Sequence, residues 1–480
     1  MQKTPRQFYA SLGLLIILNL VIKPIWIFAI DRQVQNVVGT VAYGSYFSLV
    51  NLSIVFSFLL DWGFTSFYNR QLAVKEETMI NTTGYFLLVK FLFSLFYVLI
   101  VLLVAFSSGI DRWDIVIPVI LIQVFTSFFL FFRAIITARQ WFNTDAVLSV
   151  LDKSLMIVIC GVFLFFPAVA GGMNINKFLW TQTGSLAFSV LVIVLILVKQ
   201  EVKFLFRGSF SFPKVFRSAF PYALIVLLMG IHFRLDGFLL ERMHPAGAEQ
   251  AGNYAAAYRL LDAANMIGYL FASFLLPFIA KQWSERKDIT YVILTIRHVL
   301  IAFSLGVSVL AIFMAPWIQS LLYSGNSNTT TVIQYCIPAL IGYSLVAIYG
   351  TVLTATGYIR HFCMITFIAM LINIVLNLLL IPSWGAKGCC IAALLSQGFC
   401  GVATLLVVKK KLDIPIDYRS LLIYIMIASL LAGLFYYGNQ SGFNVVLLIS
   451  AAVIITFLSL LLTKLLKPAE WLSFLNKSNL

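Results

Sequence analysis

The chain has 480 residues, 61% of them hydrophobic and only 11% charged, with a mean hydropathy of +0.98. That balance excludes an ordinary water-soluble protein and puts most of the chain in lipid. The formal charge of +15 arises from 33 Lys and Arg against 18 Asp and Glu, and where those cations lie decides whether they serve a partner or merely orient the chain.

Apolar stretches of 18 or more residues recur along the whole length, separated by short polar breaks. Read as helices long enough to cross the hydrocarbon core, they predict fourteen spans at about 8–30, 40–65, 82–106, 115–138, 145–168, 176–198, 216–240, 252–278, 289–314, 331–356, 359–381, 386–408, 418–437 and 444–466. The alternation of a membrane barrel is absent, so the expected fold class is all-α and polytopic. The first span contains "NLVIKPIWIFAIDRQ", which sets Lys23 beside Pro24. No small-residue cleavage site follows it, and it exceeds a signal-peptide core, so it is expected to be retained.

Lys and Arg collect in alternate loops. One side takes the run from Lys199 to Arg217, the triplet Lys409, Lys410 and Lys411, and both termini, including Lys3 and Lys477. The other side holds only Arg32, Arg112, Lys177, Arg242 and Lys387. Cations mark cytoplasmic loops, so both termini are expected in the cytoplasm. Most of the net charge is then topological, with anionic membrane lipids as sufficient partner and no nucleic acid required. All six cysteines, Cys160, Cys336, Cys363, Cys389, Cys390 and Cys400, fall inside spans and read as small packing residues rather than a disulfide framework.

The basic segment from Lys199 to about Val215 divides the first twelve spans equally. A weak internal repeat accompanies the division: "YGSYFSLVNL" answers "AGNYAAAYRL", with Gly44 opposite Gly252 and Tyr46 opposite Tyr254. Two halves of six spans share one orientation, a parallel repeat found in transporters with a site near the midplane. The expected organisation is an N-lobe of residues 1–208, a C-lobe of residues 209–412, and spans 13 and 14 in residues 413–480, packed outside one lobe.

The residues of phosphate-loop, metal or enzymatic chemistry are not in evidence. No G-x-x-x-x-G-K-[ST] occurs, His232, His244, His298 and His361 are scattered, no Cys/His cluster has metal-ligand spacing, and no outer loop is long enough for a catalytic domain. The expectation is a non-enzyme with no catalytic residues, no metal site and no cofactor.

Charges within spans are costly and so are functional candidates. Lys90, Arg133, Lys153, Arg297, Asp61 and Asp152 lie near the cytoplasmic ends of their spans, where snorkelling or local ion pairs explain them. Lys23 and Arg234 sit deeper, past the midplane of the matched first helices of the two lobes, and Arg259 and Asp262 share one face of span 8. Two accounts stand side by side. In one, Lys23, Arg234 and Arg259 line a wet cationic cavity between the lobes that binds a compact anion. In the other, Asp236 and Asp262 neutralise Arg234 and Arg259 in buried packing while Lys23, with no acid at its depth and Asp31 two turns farther out, snorkels. Pro24 frees the carbonyl of Leu20 and can bend the helix beside Lys23.

The segment "TVLTATGYIRHFCMITFIAMLINIVLNLLLIPSWGAKGCCIAALLSQ" resembles the polysaccharide flippases of the multidrug, oligosaccharidyl-lipid and polysaccharide exporter superfamily. The likeness rests on Asn373, Asn377, Ile381, Pro382, Gly385, Gly388, Ala392, Ala393 and Gln397, with Cys389 and Cys390 where the family usually has alanines. "YGSYFSLVNLSIVFSFLLDWGF" and "RLDGFLLERM" with "AGNYAAAYRLLDAANMIGYLFASFLLP" are similar to the family's second, seventh and eighth spans. Asn373 and Asn377 read as interhelical hydrogen-bonding residues. The resemblance implies two six-helix lobes in a bacterial plasma (inner) membrane. It further implies transfer of an undecaprenyl-diphosphate-linked oligosaccharide to the outer leaflet by alternating access, driven by an ion gradient or the membrane potential. Lys23, Arg234 and Arg259 would hold the diphosphate, and Asp236 and Asp262 would be the coupling carboxylates or charge partners. Polysaccharide-assembly membrane proteins are the further partners it allows. The rivals are a multidrug exporter of the same superfamily, a membrane glycan polymerase or ligase, and a non-transporting scaffold.

Overall fold

The computed structural model describes residues 5–74, 81–202, 204–207, 211–323, 329–415 and 417–466. The loop cations Lys3, Lys75, Lys203, Lys467 and Lys477 and part of the loop after span 9 lie outside them. Among the described residues, 13 helices are long and apolar enough to cross a membrane. The second predicted span is carried by the shorter Thr40–Val55, followed by Phe58–Asp61 and Phe64–Val74. Every predicted span therefore has a helical counterpart, and the protein is an all-helical, multi-pass membrane protein.

Three spans depart from a plain α-helix, each for a readable reason. Span 1 runs as Pro5–Ile25, passes through a π-helical turn, Trp26–Asp31, and continues as Arg32–Val38. Pro24 offers no N–H, so the ladder is interrupted there, and the register slips by one residue in the following turn. The helix outruns its predicted end at about residue 30, which corrects the assignment of Asp31 and Arg32 to a loop. Gly39, at φ +85°, then turns the chain into span 2. Span 2 breaks after Asp61, where Trp62 and Gly63 both take left-handed backbone. Span 10 is Thr329–Cys336, a 3₁₀ turn Ile337–Ala339 holding Pro338, and Leu340–Ala355.

The other spans are Thr83–Ser107, Trp113–Ala138, Phe142–Phe165, Ile175–Lys199, Phe212–Met243, Gly247–Ser284 and Thr290–Leu322 (spans 3 to 9), then Ile359–Trp384, Ala386–Leu412, Tyr418–Gln440 and Val445–Leu462 (spans 11 to 14). Span 3 shows how such a helix meets lipid. Phe86, Lys90, Ser94, Tyr97, Val101 and Ala105 are buried on one stripe, while Leu88, Phe91, Leu95, Leu99 and Leu103 are exposed on the other. An apolar row of that length is sustainable against acyl chains, not water.

By packing, the chain forms two compact units, Met1–Gly252 and Asn253–Leu480. In the first, span 1 packs on span 5, span 6 on spans 4 and 5, and span 7 along span 2. The core near the basic loops gathers Phe64, Tyr68, Phe86, Phe131, Leu148, Ile193 and Leu197. Span 7 lies close to span 2 because Gly237 has no side chain: a Cβ there would come within 2.5 Å of Asn51 Nδ2 and 2.9 Å of Phe47. Span 7 thus groups by packing with the spans that precede it, a partition different from the repeat-based division at 208/209.

In the second unit spans 10, 11 and 12 pack tightly, and span 9 carries spans 13 and 14 through Ile427, Leu431, Phe435 and Leu448 against Ala302, Val309 and Met314. Gly385, at φ +51°, turns span 11 into span 12, and a Cβ on Gly388 would lie 2.8 Å from the Leu380 backbone. Asn377 donates to Asn373 at 3.0 Å and Asn373 to Ser396 of span 12 at 3.2 Å, both asparagines being fully buried. The bond from Asn373 to Ser396 is an interhelical bond of the kind read from the motif, while that from Asn377 to Asn373 lies within span 11. The described cysteines are all free.

Candidate functional site

The charged residues of the first unit fall into small groups built from neighbouring spans. Lys90 is buried and its Nζ lies 2.7 Å from Asp61 Oδ1, with the Leu60 carbonyl at 3.5 Å and the Phe131 ring centroid at 5.6 Å. Asp61 also accepts from the backbone N–H of Thr65 at 3.3 Å and from its hydroxyl, which holds the break in span 2 in place. Arg133 of span 4 grips Asp145 at the start of span 5 in bidentate fashion, Nε to Oδ1 2.7 Å and Nη2 to Oδ2 3.0 Å. Lys153 pairs with Asp152 at 3.2 Å and sits 5.2 Å from the centroid of the Trp26 ring. The local ion pairs expected of Lys90, Arg133 and Lys153 are thus present, although the partner of Arg133 is Asp145, which sequence order alone leaves at a span edge.

Lys23 stands in this surrounding. It is half-buried, one turn before the π segment, within electrostatic reach of Arg133, Asp152 and Lys153. Its span is pinned to span 5 by Asn19, whose Nδ2 donates to Ser149 Oγ at 2.9 Å, and to span 6 by Trp26, which stacks on Phe178 at 5.9 Å. The sequence leaves Lys23 with no acid at its depth; the fold brings Asp152 from span 5. Asp145 is already bridged by Arg133 and Asp152 by Lys153. Lys23 is therefore the surplus positive charge of the group.

Asp31, at the end of the π segment, is 2% exposed and accepts from the Tyr43 hydroxyl at 2.9 Å. Sequence reasoning passed over it by ending the span one residue too soon; the signal was an acid two turns beyond Lys23 with no turn residue between them.

Arg234 and Asp236 lie within span 7. Asp236 is buried and accepts from the Gly237 N–H at 2.8 Å, while Arg234 is half-buried. Arg259 and Asp262 are half-buried on span 8 in the second unit. Each of these four engages a neighbour, so none is an idle charge. Also in the second unit, Arg297 is buried, its Nη1 3.5 Å from the Pro415 carbonyl, and its neighbour His298 bonds the Tyr424 hydroxyl at 2.6 Å. Those contacts tie span 13 to span 9. Asp417 caps span 13, accepting from the Ser420 hydroxyl and the Arg419 N–H, and the hydroxyl first, then that N–H and the nearby Arg297, hold its carboxyl below the ordinary range.

Residues 10–283, more than half the chain, match a protein family described as "Polysaccharide biosynthesis protein". No curated protein matches. Among solved structures, a lipid II flippase, MurJ, in an inward closed conformation is similar with a TM-score of 0.71 at 14% identity, covering 95% of this chain and 98% of its own. An inward-facing multidrug resistance MATE transporter of the MOP superfamily is similar with a TM-score of 0.63 at 14% identity, covering 86% and 96%. A MOP-superfamily transporter from Pyrococcus furiosus, titled for the reverse polarity of its binding pocket, scores 0.62 at 12% identity over 86% and 96%. At these identities the likeness is one of fold.

Proposed function

Because the chain belongs to the polysaccharide biosynthesis protein family, we propose that it is a carrier that moves a polyprenyl-diphosphate-linked oligosaccharide from the inner to the outer leaflet of a bacterial plasma membrane. Alternating access of two repeats, residues 1–208 and 209–412, would move the cargo, with residues 413–480 appended. The Lys- and Arg-rich loops and both termini would face the cytoplasm.

The observation that carries this reading is the surplus charge at Lys23. Cations already satisfied by carboxylates are structural, whereas a half-buried ammonium left over beside an interrupted helix gains most from an anionic ligand. A diphosphate supplies that charge compactly. Arg234 and Arg259 are the further phosphate ligands we propose, each exchanging its resting partner for phosphate when cargo enters, with bidentate geometry available to a guanidinium. Asp236 and Asp262 are the proposed coupling or charge-partner carboxylates. A membrane potential contributes about 2.3 kcal/mol per charge per 100 mV, sufficient to bias such a cycle.

Two experiments test the proposal. Lys23→Ala and Arg234→Ala are each expected to abolish surface glycan while the protein remains in the membrane, and Lys23→Arg to retain part of it; normal surface glycan in Lys23→Ala cells would remove the site. Depletion of the chain is expected to trap lipid-linked glycan on the cytoplasmic leaflet. The fold likeness to MATE transporters supports a second reading, export of cationic drugs. It predicts lowered dye and drug resistance on depletion with surface glycan unchanged.

A further inference from the structure

Among the described residues, two cations within spans are buried, Lys90 at 2% exposure and Arg297 at 5%. Lys90 has the Asp61 carboxylate at 2.7 Å. Arg297, on span 9, has no carboxylate at ion-pair distance. Its hydrogen bond from Nη1 to the Pro415 carbonyl is stretched to 3.5 Å, and Nε and Nη2, both sealed from solvent, have no partner. The hydroxyls of Tyr349 on span 10 and Tyr424 on span 13 lie beside the guanidinium, but neither carries charge, and Tyr424 is already bonded to His298 at 2.6 Å. Asp417 is near enough for its carboxylate to feel the guanidinium, yet it is exposed and engaged by the Ser420 hydroxyl at 2.9 Å and the Arg419 N–H at 3.0 Å.

A buried charge without a counterion is destabilising, and an apolar side chain of similar size would pack there without that cost. The two unsatisfied nitrogens also have a geometry. Nε and Nη2 form one edge of the guanidinium, the same edge by which Arg133 grips both oxygens of Asp145. Such an edge is shaped for two oxygens of one carboxylate or phosphate.

The level of Arg297 in the membrane selects between them. Span 9 has 33 residues, about 50 Å of helix against a hydrocarbon core of about 30 Å, so its first turns stand among headgroups. Arg297 is about 10 Å along the axis from Thr290, and its contact with Pro415 sets it level with the start of span 13. Lys409, Lys410 and Lys411, all exposed, end span 12 on the same face and draw anionic lipid toward it. The first turns of span 13 then present Leu421, Leu422 and Ile425, all exposed, as a bed for acyl chains.

We propose that Arg297 anchors a binding site for an anionic phospholipid, whose phosphate takes the Nε–Nη2 edge at the junction of spans 9, 10 and 13 on the face of the basic loops. The segment through Pro415, exposed and held to Arg297 by one long hydrogen bond, yields to admit the headgroup. The lipid supplies the counterion that the fold withholds and so completes the attachment of span 13. The site is independent of the cargo and of the carrier reading.

The experiment titrates the purified full chain in neutral detergent with phosphatidylglycerol or phosphatidylcholine and counts bound lipid by native mass spectrometry. Phosphatidylglycerol is expected to be held at least about tenfold more tightly. Arg297→Gln is expected to lose that preference, and Arg297→Lys, which keeps the charge without the two-pronged edge, to keep part of it. Asp417→Asn still caps span 13 but removes the carboxylate that competes with the phosphate, so it is expected to tighten binding. Weaker binding by Asp417→Asn would make that carboxylate the true partner of Arg297 and overturn the site, as would equal retention of the two lipids or an Arg297→Gln chain with the parent's preference. A further arm needs no variant: in lipid nanodiscs, phosphatidylglycerol is expected to slow amide hydrogen exchange in residues 412–420 several-fold relative to phosphatidylcholine, and unchanged exchange there would sink the assignment. Inorganic phosphate at millimolar concentration is expected neither to displace the lipid nor to slow that exchange; slowing by phosphate alone would assign the site to a soluble anion and refute the lipid.

Discussion

At the scale of single residues, the buried charges separate into two kinds according to what the fold sets beside them. Lys90 is 2% exposed while the side chain of its partner Asp61 is 30% exposed. Removing the carboxylate strands an ammonium in a dry site; removing the ammonium leaves an acid with access to water and to Thr65. We therefore expect Asp61→Ala to cost about 3 kcal/mol and Lys90→Met distinctly less, with the double variant recovering part of the loss, measured by thermal unfolding in detergent. Equal costs for the two single variants would refute the asymmetry. Lys23 has no such claim on a carboxylate, since Asp152 is held by Lys153 and Asp145 by Arg133. That distinction was only half legible in the sequence. Depth along a helix can be counted from residue spacing, and it singled out Lys23 and Arg234. That Asp152 comes near Lys23, and that Asp145 takes up Arg133, depends on how spans 1, 4 and 5 pack, which no spacing along the chain encodes.

At the scale of elements, hydropathy located the spans well because a membrane helix needs an unbroken apolar run, and the fourteen predicted segments each met a helix. It missed where helices are interrupted. The left-handed pair Trp62 and Gly63 splits span 2, and the π turn Trp26–Asp31 carries span 1 beyond its predicted end. Neither changes mean hydropathy. The Lys23–Pro24 pair did announce the second, since a proline in a helix interior removes a backbone donor. Pro24→Ala restores that donor and favours a regular α-helix in place of the π turn. The variant is expected to be as stable as the parent or more so, but to export glycan more slowly, because Trp26 and Asp31 would rotate away from Phe178 and Tyr43. Unchanged export at unchanged abundance would show the π turn to be dispensable. The small-residue contacts of spans 10 to 12, by contrast, were readable from the motif: Asn373, Asn377, Gly385 and Gly388 do there what their chemistry permits.

At the scale of the molecule, Gly44 and Gly252, which the weak repeat read from the sequence sets opposite each other, are neighbours in space. The same packing draws span 7 against span 2 and so cuts across the six-and-six division proposed from the sequence. The carrier reading proposed above rests on membership of the polysaccharide biosynthesis family and on the surplus ammonium of Lys23, and the fold is one also seen in a lipid II flippase and in MATE transporters. The most direct test reconstitutes the purified chain in liposomes loaded on one leaflet with a polyprenyl-diphosphate oligosaccharide and follows its arrival on the other. Transfer that depends on the protein and falls at least about tenfold in Lys23→Ala, the equivalent of a lost charge-assisted hydrogen bond, is the expected result. Transfer no faster than in protein-free vesicles, or equally fast with Lys23→Ala, would contradict it.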